Sequence, residues 1–270
     1  MWIDLRRTKQ LSIAMAWRGL KGAWRVLLGA VSLFSSVLVL FTVITTLTPG
    51  LITGFARQAI ERLAELYFGS IDDMATVLMT LLWVQGPYLL AIFAGFLGTH
   101  LAQAALQTEV THGGFELLLS GPYRFAEIFW AWMTSTLLLS LMGWLISSLL
   151  VLGAGMITWL ISDLSLPFSL EYWLLAFTLP IPVTLWAIFI TLTTLLRFPR
   201  MIQGRSNLAS AVITPLATLP GIVLILLINV FPDVNNFALL LMATAAVLIG
   251  TALAGFGLYR SLRVEALLEG

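Results

Sequence analysis

Residues Ile128–Ile161 read IFWAWMTSTLLLSLMGWLISSLLVLGAGMITWLI, an unbroken run without one charged side chain. A helix needs roughly 20 apolar residues to cross about 30 Å of hydrocarbon. The run therefore exceeds one span, and two short spans hinged at Gly153-Ala154-Gly155 would also fit its length. The rest of the chain decides between these. Further long apolar stretches occur at Val26–Leu47, Ala75–Thr99, Trp173–Leu196, Leu208–Val230 and Phe237–Tyr259. With 128–161 counted once, the sequence predicts an all-α polytopic membrane protein of six spans forming one transmembrane domain over residues 1–270.

Basic residues favour the cytoplasmic side of short loops. Six spans put Arg6, Arg7, Lys9, Arg18, Lys21, Arg25, Arg124, Arg197, Arg200, Arg205, Arg260 and Arg263 inside. Arg57 and Arg62 fall outside, among Glu61, Glu65, Asp72, Asp73, Asp163, Glu171 and Asp233. Splitting the third run would move Arg197, Arg200 and Arg205 outside. One long third helix, with both termini cytoplasmic, is the better solution. Composition agrees: 60% of the 270 residues are hydrophobic and 10% charged, against about 25% charged in a typical soluble domain. A net charge of +1 implies no nucleic-acid partner, and the absence of cysteine rules out disulfides and thiol chemistry.

Two amphipathic segments flank the first span. Ile13, Trp17, Leu20 and Trp24 form one stripe, with Arg18, Lys21 and Arg25 about 100° round from it. Residues 1–25 thus read as an elbow helix in the inner interface, where Trp17, Arg18, Lys21 and Arg25 meet anionic membrane lipid. Between residues 52 and 67, Ile52, Phe55, Ala59, Ile60, Leu63, Leu66 and Tyr67 recur at helical spacing opposite Arg57, Gln58, Glu61, Arg62 and Glu65. That pattern predicts a helix lying flat on the outer surface.

The six stretches contain no Asp, Glu, Lys, Arg or His. Intramembrane ionisable groups mark proton relays and voltage sensors, so proton-driven transport lacks its usual carboxylate. Intramembrane catalysis lacks one too, and His100 and His112 form no recognised metal-ligand spacing with Glu109 and Glu116. Neither Lys9 nor Lys21 lies in a Gly-x-x-x-x-Gly-Lys-Ser/Thr phosphate loop. The sequence therefore predicts no catalytic, metal or cofactor-binding residue, and the protein either conducts passively or is driven by another chain. A lumen lined by such spans, with Thr42, Thr45, Thr46, Thr191, Thr193 and Thr194 among its hydroxyls, suits an apolar or amphipathic cargo. The same threonines suit helix packing.

Between the second and third spans, residues 100–127 form a loop. Gly113-Gly114 breaks the preceding helix, and Phe115, Leu118 and Leu119 then fall at i, i+3, i+4. Pro122 stops the short helix, because a proline disfavours helix at the residue before it. Exposed apolar surface of this kind is a candidate docking site. The loop resembles that of the ABC-2 family of ABC-transporter permeases at Glu109, Gly113, Glu116, Leu118, Leu119 and Pro122, and the six-span haem-exporter B subunits carry a similar one. It departs from the family pattern at Val110, Thr111 and His112, at Gly114-Phe115, and at the start of the third span.

The resemblance implies that Glu109, Gly113, Phe115, Glu116, Leu118, Leu119 and Pro122 form a coupling helix docking a separate ABC ATPase. That partner carries ATP and Mg, and a second permease subunit completes a homo- or heterodimer in a prokaryotic cytoplasmic (inner) membrane. It also implies an exporter, with a gate near Pro220, Gly221, Asn229, Phe231 and Pro232, where re-entrant elements lie in the family. A stand-alone channel or carrier leaves the loop without a role. A membrane scaffold leaves unexplained Pro87, Pro180, Pro182, Pro215 and Pro220, which interrupt the spans.

Overall fold

The computed structural model describes residues 5–48, 54–68, 74–161, 170–198 and 207–230, with positions 238, 242, 244–246 and 249–250 beyond them. The described chain is almost wholly helical. Helix α1 spans Leu5–Leu47, α2 Phe55–Phe68, α3 Met74–Met79 and α4 Gly86–Thr111, with a π-helical stretch, Thr80–Gln85, joining α3 to α4. Then follow α5 Gly114–Ser120, α6 Phe125–Ile161, α7 Leu170–Thr178, α8 Pro180–Arg197 and α9 Asn207–Val230. Among the described residues, four helical segments are long and apolar enough to cross a membrane: Leu27–Thr45, Thr76–Val110, Phe125–Leu160 and Tyr172–Arg197. A shorter apolar stretch, Val212–Leu227, lies in α9. The expected sixth span, 237–259, lies largely outside the described residues.

Helix α4 is the hub, packed against α6, α8 and α9, while α1 leans mainly on α6. In their apolar windows 72% of the Thr76–Val110 segment is buried and 22% of Leu27–Thr45, so α1 is far more exposed than the hub. Close approach around α4 is made by glycine, as in other membrane interfaces. A Cβ on Gly98 would lie 3.0 Å from Ile188 Cγ1 and 3.1 Å from Thr184 Cγ2; one on Gly95 would lie 3.2 Å from Val183 Cγ1. On the other side, Gly143 of α6 accepts Leu97 and Val31.

Three elements depart from the sequence reading. The expected elbow and first span are one helix of 43 residues, without a break at Arg25-Val26. No proline precedes Pro49, so nothing stops the helix. It runs along α6 in the same direction. Ser12 meets Thr134, whose Oγ1 donates to Ser12 Oγ at 2.6 Å, and Val31 meets Gly143. The interval is roughly 28 Å of α1 axis but roughly 14 Å of α6 axis.

Second, α2 does not rest on the surface alone. Its buried face of Ala59, Ile60, Leu63 and Ala64 packs over α3, the π stretch and α9. Its outer face carries the Arg57–Glu61 ion pair at 2.7 Å. Third, the fourth span is helical throughout Tyr172–Arg197 but locally irregular at Leu179, just before Pro180. The 37-residue α6, by contrast, passes Gly153-Ala154-Gly155 without a hinge, as the charge distribution predicts. Gly155 is instead a packing site, its missing Cβ leaving room for the Trp83 indole.

The prolines explain the irregular backbone. Pro87 has no N–H for the carbonyl of Trp83 and crowds it, and the π stretch sits immediately before it. The Tyr172 hydroxyl of α7 donates to that carbonyl. Pro220 likewise deprives Leu216, whose carbonyl accepts from Trp186 Nε1 of α8 at 3.3 Å. Proline in a membrane helix is tolerated when neighbours supply such donors. Buried Thr42, Thr99 and Thr191 need no external partner, since each bonds the carbonyl four residues back on its own helix, at 2.8, 3.0 and 2.7 Å.

Candidate functional site

The seven-residue α5 stands between the long helices α4 and α6. Its position follows from the glycine pair. Gly113 adopts φ +66°, a left-handed conformation that ends α4 and turns the chain. His112 N–H donates to the Thr108 carbonyl at 3.2 Å and Gly113 N–H to the Val110 carbonyl at 3.4 Å, closing the α4 terminus. Helix α5 ends at Gly121, in extended conformation, and the exposed Pro122 follows. The return into α6 is capped by Glu127, whose Oε2 accepts from the Arg124 backbone N–H at 3.1 Å. A glutamate at the third helical position reaching back to the N-cap is half of a capping box, and it leaves Glu127 only 3% exposed.

Glu109 is the centre of the site. It sits on the last turns of α4, 8% exposed, and a buried carboxylate requires a partner. Arg18 of α1 supplies it, donating from Nη1 to Glu109 Oε1 at 2.9 Å. The other carboxylate oxygen lies against Gly114, 2.0 Å from where a Cβ would stand. Any residue but glycine at the start of α5 displaces Glu109. One side chain thus ties α1, α4 and α5 together.

Of the face that the spacing suggested, Leu118 is described, and it is half-buried. Leu118 packs inward against the cluster of Leu11, Leu106, Ile128 and Trp132. Leu117 points out, 75% exposed. Gly113 and Pro122 are exposed with it; the side chains of Phe115, Glu116 and Leu119 lie outside the described residues. Leu118 thus meets the chain's own bundle while Leu117 beside it faces outward.

On α1, Trp17 and Trp24 are exposed. Lys21 Nζ sits 5.2 Å from the Trp17 ring centroid, and the Arg25 guanidinium 5.5 Å from that of Trp24. Three of the expected gate residues are described. Pro220, Gly221 and Asn229 lie within the continuous α9, while Phe231 and Pro232 lie outside the described residues. Gly221 is a contact, its absent Cβ making room for Ile92 Cγ1 of α4. Asn229 Oδ1 accepts from Gln85 Nε2 at 3.1 Å, joining the end of α9 to the π stretch.

Sequence reasoning missed the Arg18–Glu109 bond, although the available signal was a glutamate on a helix otherwise continuous with a span. It also missed Leu117, Tyr172, Trp186 and Gln85. Among the described residues no group of three or more His, Cys, Asp or Glu is placed to hold a metal ion. The α5 site offers a contact surface and a braced charge pair, not a nucleophile with its base. No family model, curated protein or solved structure matches the chain.

Proposed function

We propose that this chain is the membrane-spanning permease subunit of an ATP-driven ABC exporter. It works with a separate ATPase subunit, which α5 docks on the cytoplasmic side of a prokaryotic inner membrane, and with a second permease subunit. The observation that carries this reading is the construction of α5: Leu117 stands free at 75% exposure while Leu118, beside it, is anchored in the bundle. A surface held from behind and apolar in front transmits force. A push on α5 reaches α4 through Gly113, α6 through Gly121–Arg124, and α1 through Glu109 and Arg18. ATP-driven closure of the partner then shifts three helices at once, given contacts that differ between the two states. Cargo is a hydrophobic or amphipathic molecule, in keeping with spans that lack fixed charge.

The test is co-purification with an ATPase subunit, sought first in the reading frames beside this chain's own. Leu117→Ala and Glu116→Ala are expected to lower both ATPase retention and permease-stimulated hydrolysis, with the permease still folded. Leu118→Ala, by contrast, acts first on stability, since it opens space in the bundle. Retention and stimulation unchanged by Leu117→Ala and Glu116→Ala together overturn the docking role.

A further inference from the structure

The α5 site has a second input, on α1. Over Leu5–Arg25 this helix carries Arg6, Arg7, Lys9, Arg18, Lys21 and Arg25 and no acidic residue. Arg18, Lys21 and Arg25 fall at i, i+3, i+7, one face along roughly 10 Å of helix. Trp17 and Trp24 flank them, 59% and 46% exposed, each beneath a cation. The apolar stretch of α1 begins just beyond, at Leu27, so this face stands at the depth of lipid headgroups, where tryptophan concentrates. Arg18 belongs to it and also to the buried site. One terminal nitrogen is bonded to Glu109, yet its side chain is 75% exposed. A guanidinium carries five donors in a planar fork, so the outward edge remains open to an anion.

We propose that Arg18, Lys21 and Arg25, between Trp17 and Trp24, bind the headgroup of an anionic phospholipid. The bound lipid shares Arg18 with Glu109 and thereby sets how firmly the root of α5 is held. Charge complementarity names the occupant. The face is purely cationic, it borders an apolar span, and its aromatic rings suit the interface rather than a soluble anion. The headgroup holds Arg18 in the orientation that reaches Glu109; without it the exposed arginine is free to leave, and the carboxylate over Gly114 loses its partner. This goes beyond the ATPase reading and needs no ATPase to be tested.

The full chain is placed in nanodiscs of phosphatidylcholine alone or mixed with phosphatidylglycerol. Two quantities are read: phosphatidylglycerol retained after detergent extraction, and hydrogen exchange of the Gly114–Ser120 amides. Phosphatidylglycerol is expected to slow α5 exchange several-fold. The K21Q/R25Q double variant, which leaves Arg18–Glu109 in place, should weaken lipid retention about thirtyfold for two lost charges and abolish the exchange difference. K21R/R25K should keep both. E109Q should retain lipid at least as well as the native chain while losing the slowing of α5. Equal phosphatidylglycerol retention by the native chain and K21Q/R25Q, or α5 exchange insensitive to lipid charge in the native chain, overturns the proposal.

Discussion

At Gly114 and Arg18, single atoms decide what the α5 site can do. Gly114→Ala places a methyl where the Glu109 carboxylate now lies. Overpacking of this kind costs about 1–3 kcal/mol, and a fall in thermal unfolding temperature in detergent is the expected reading. Arg18→Gln leaves Glu109 without its charge partner. Because Arg18 is largely exposed, solvent screens the pair and its contribution is about 1 kcal/mol. Coupling is the sharper measure: the Arg18→Gln/Glu109→Gln double variant should lose less stability than the two single variants added together. Strict additivity would show that the bond carries nothing.

At the scale of elements, α7 and α8 act as donors to two kinked neighbours. Tyr172 serves the Trp83 carbonyl and Trp186 the Leu216 carbonyl, the two that Pro87 and Pro220 cannot serve. Tyr172→Phe and Trp186→Phe should each cost about 1 kcal/mol, the usual net value of such a bond, read as loss of thermal stability. Pro87→Ala gives the Trp83 carbonyl a backbone donor again, so Tyr172→Phe should cost less in that background. An equal cost in both backgrounds would break the link between proline and tyrosine. The sequence showed each proline, and that a neighbour must answer it. It could not show which neighbour, because Tyr172 lies far from Trp83 in the chain and only packing brings them together.

For the molecule as a whole, α5 and α2 cap opposite ends of the bundle. They stand at opposite ends of the α3–α4 rod, and the chain lacks cysteine, so single cysteines report sidedness without background. A cysteine replacing Gln58 is expected to react with an impermeant maleimide in intact cells, and one replacing Leu117 only after permeabilisation; the reverse order inverts the topology. Gly98→Leu tests the hub. It drives a large side chain into Ile188 and Thr184 and should abolish a monodisperse detergent-extracted protein.

Helical class, the apolar stretches and the single third helix were legible in the sequence, because hydrocarbon permits a backbone only when its hydrogen bonds are satisfied internally. Length, hydropathy and the glycine pair at 113–114 are local properties, and they located α5 within a residue or two. What the sequence could not determine depends on which surfaces meet. Leu118 turns inward and Leu117 outward, α2 folds its apolar face over the π stretch, and Arg18 finds Glu109 across 91 positions of chain. Each is chosen by the packing of whole helices, whose partners no local spacing encodes.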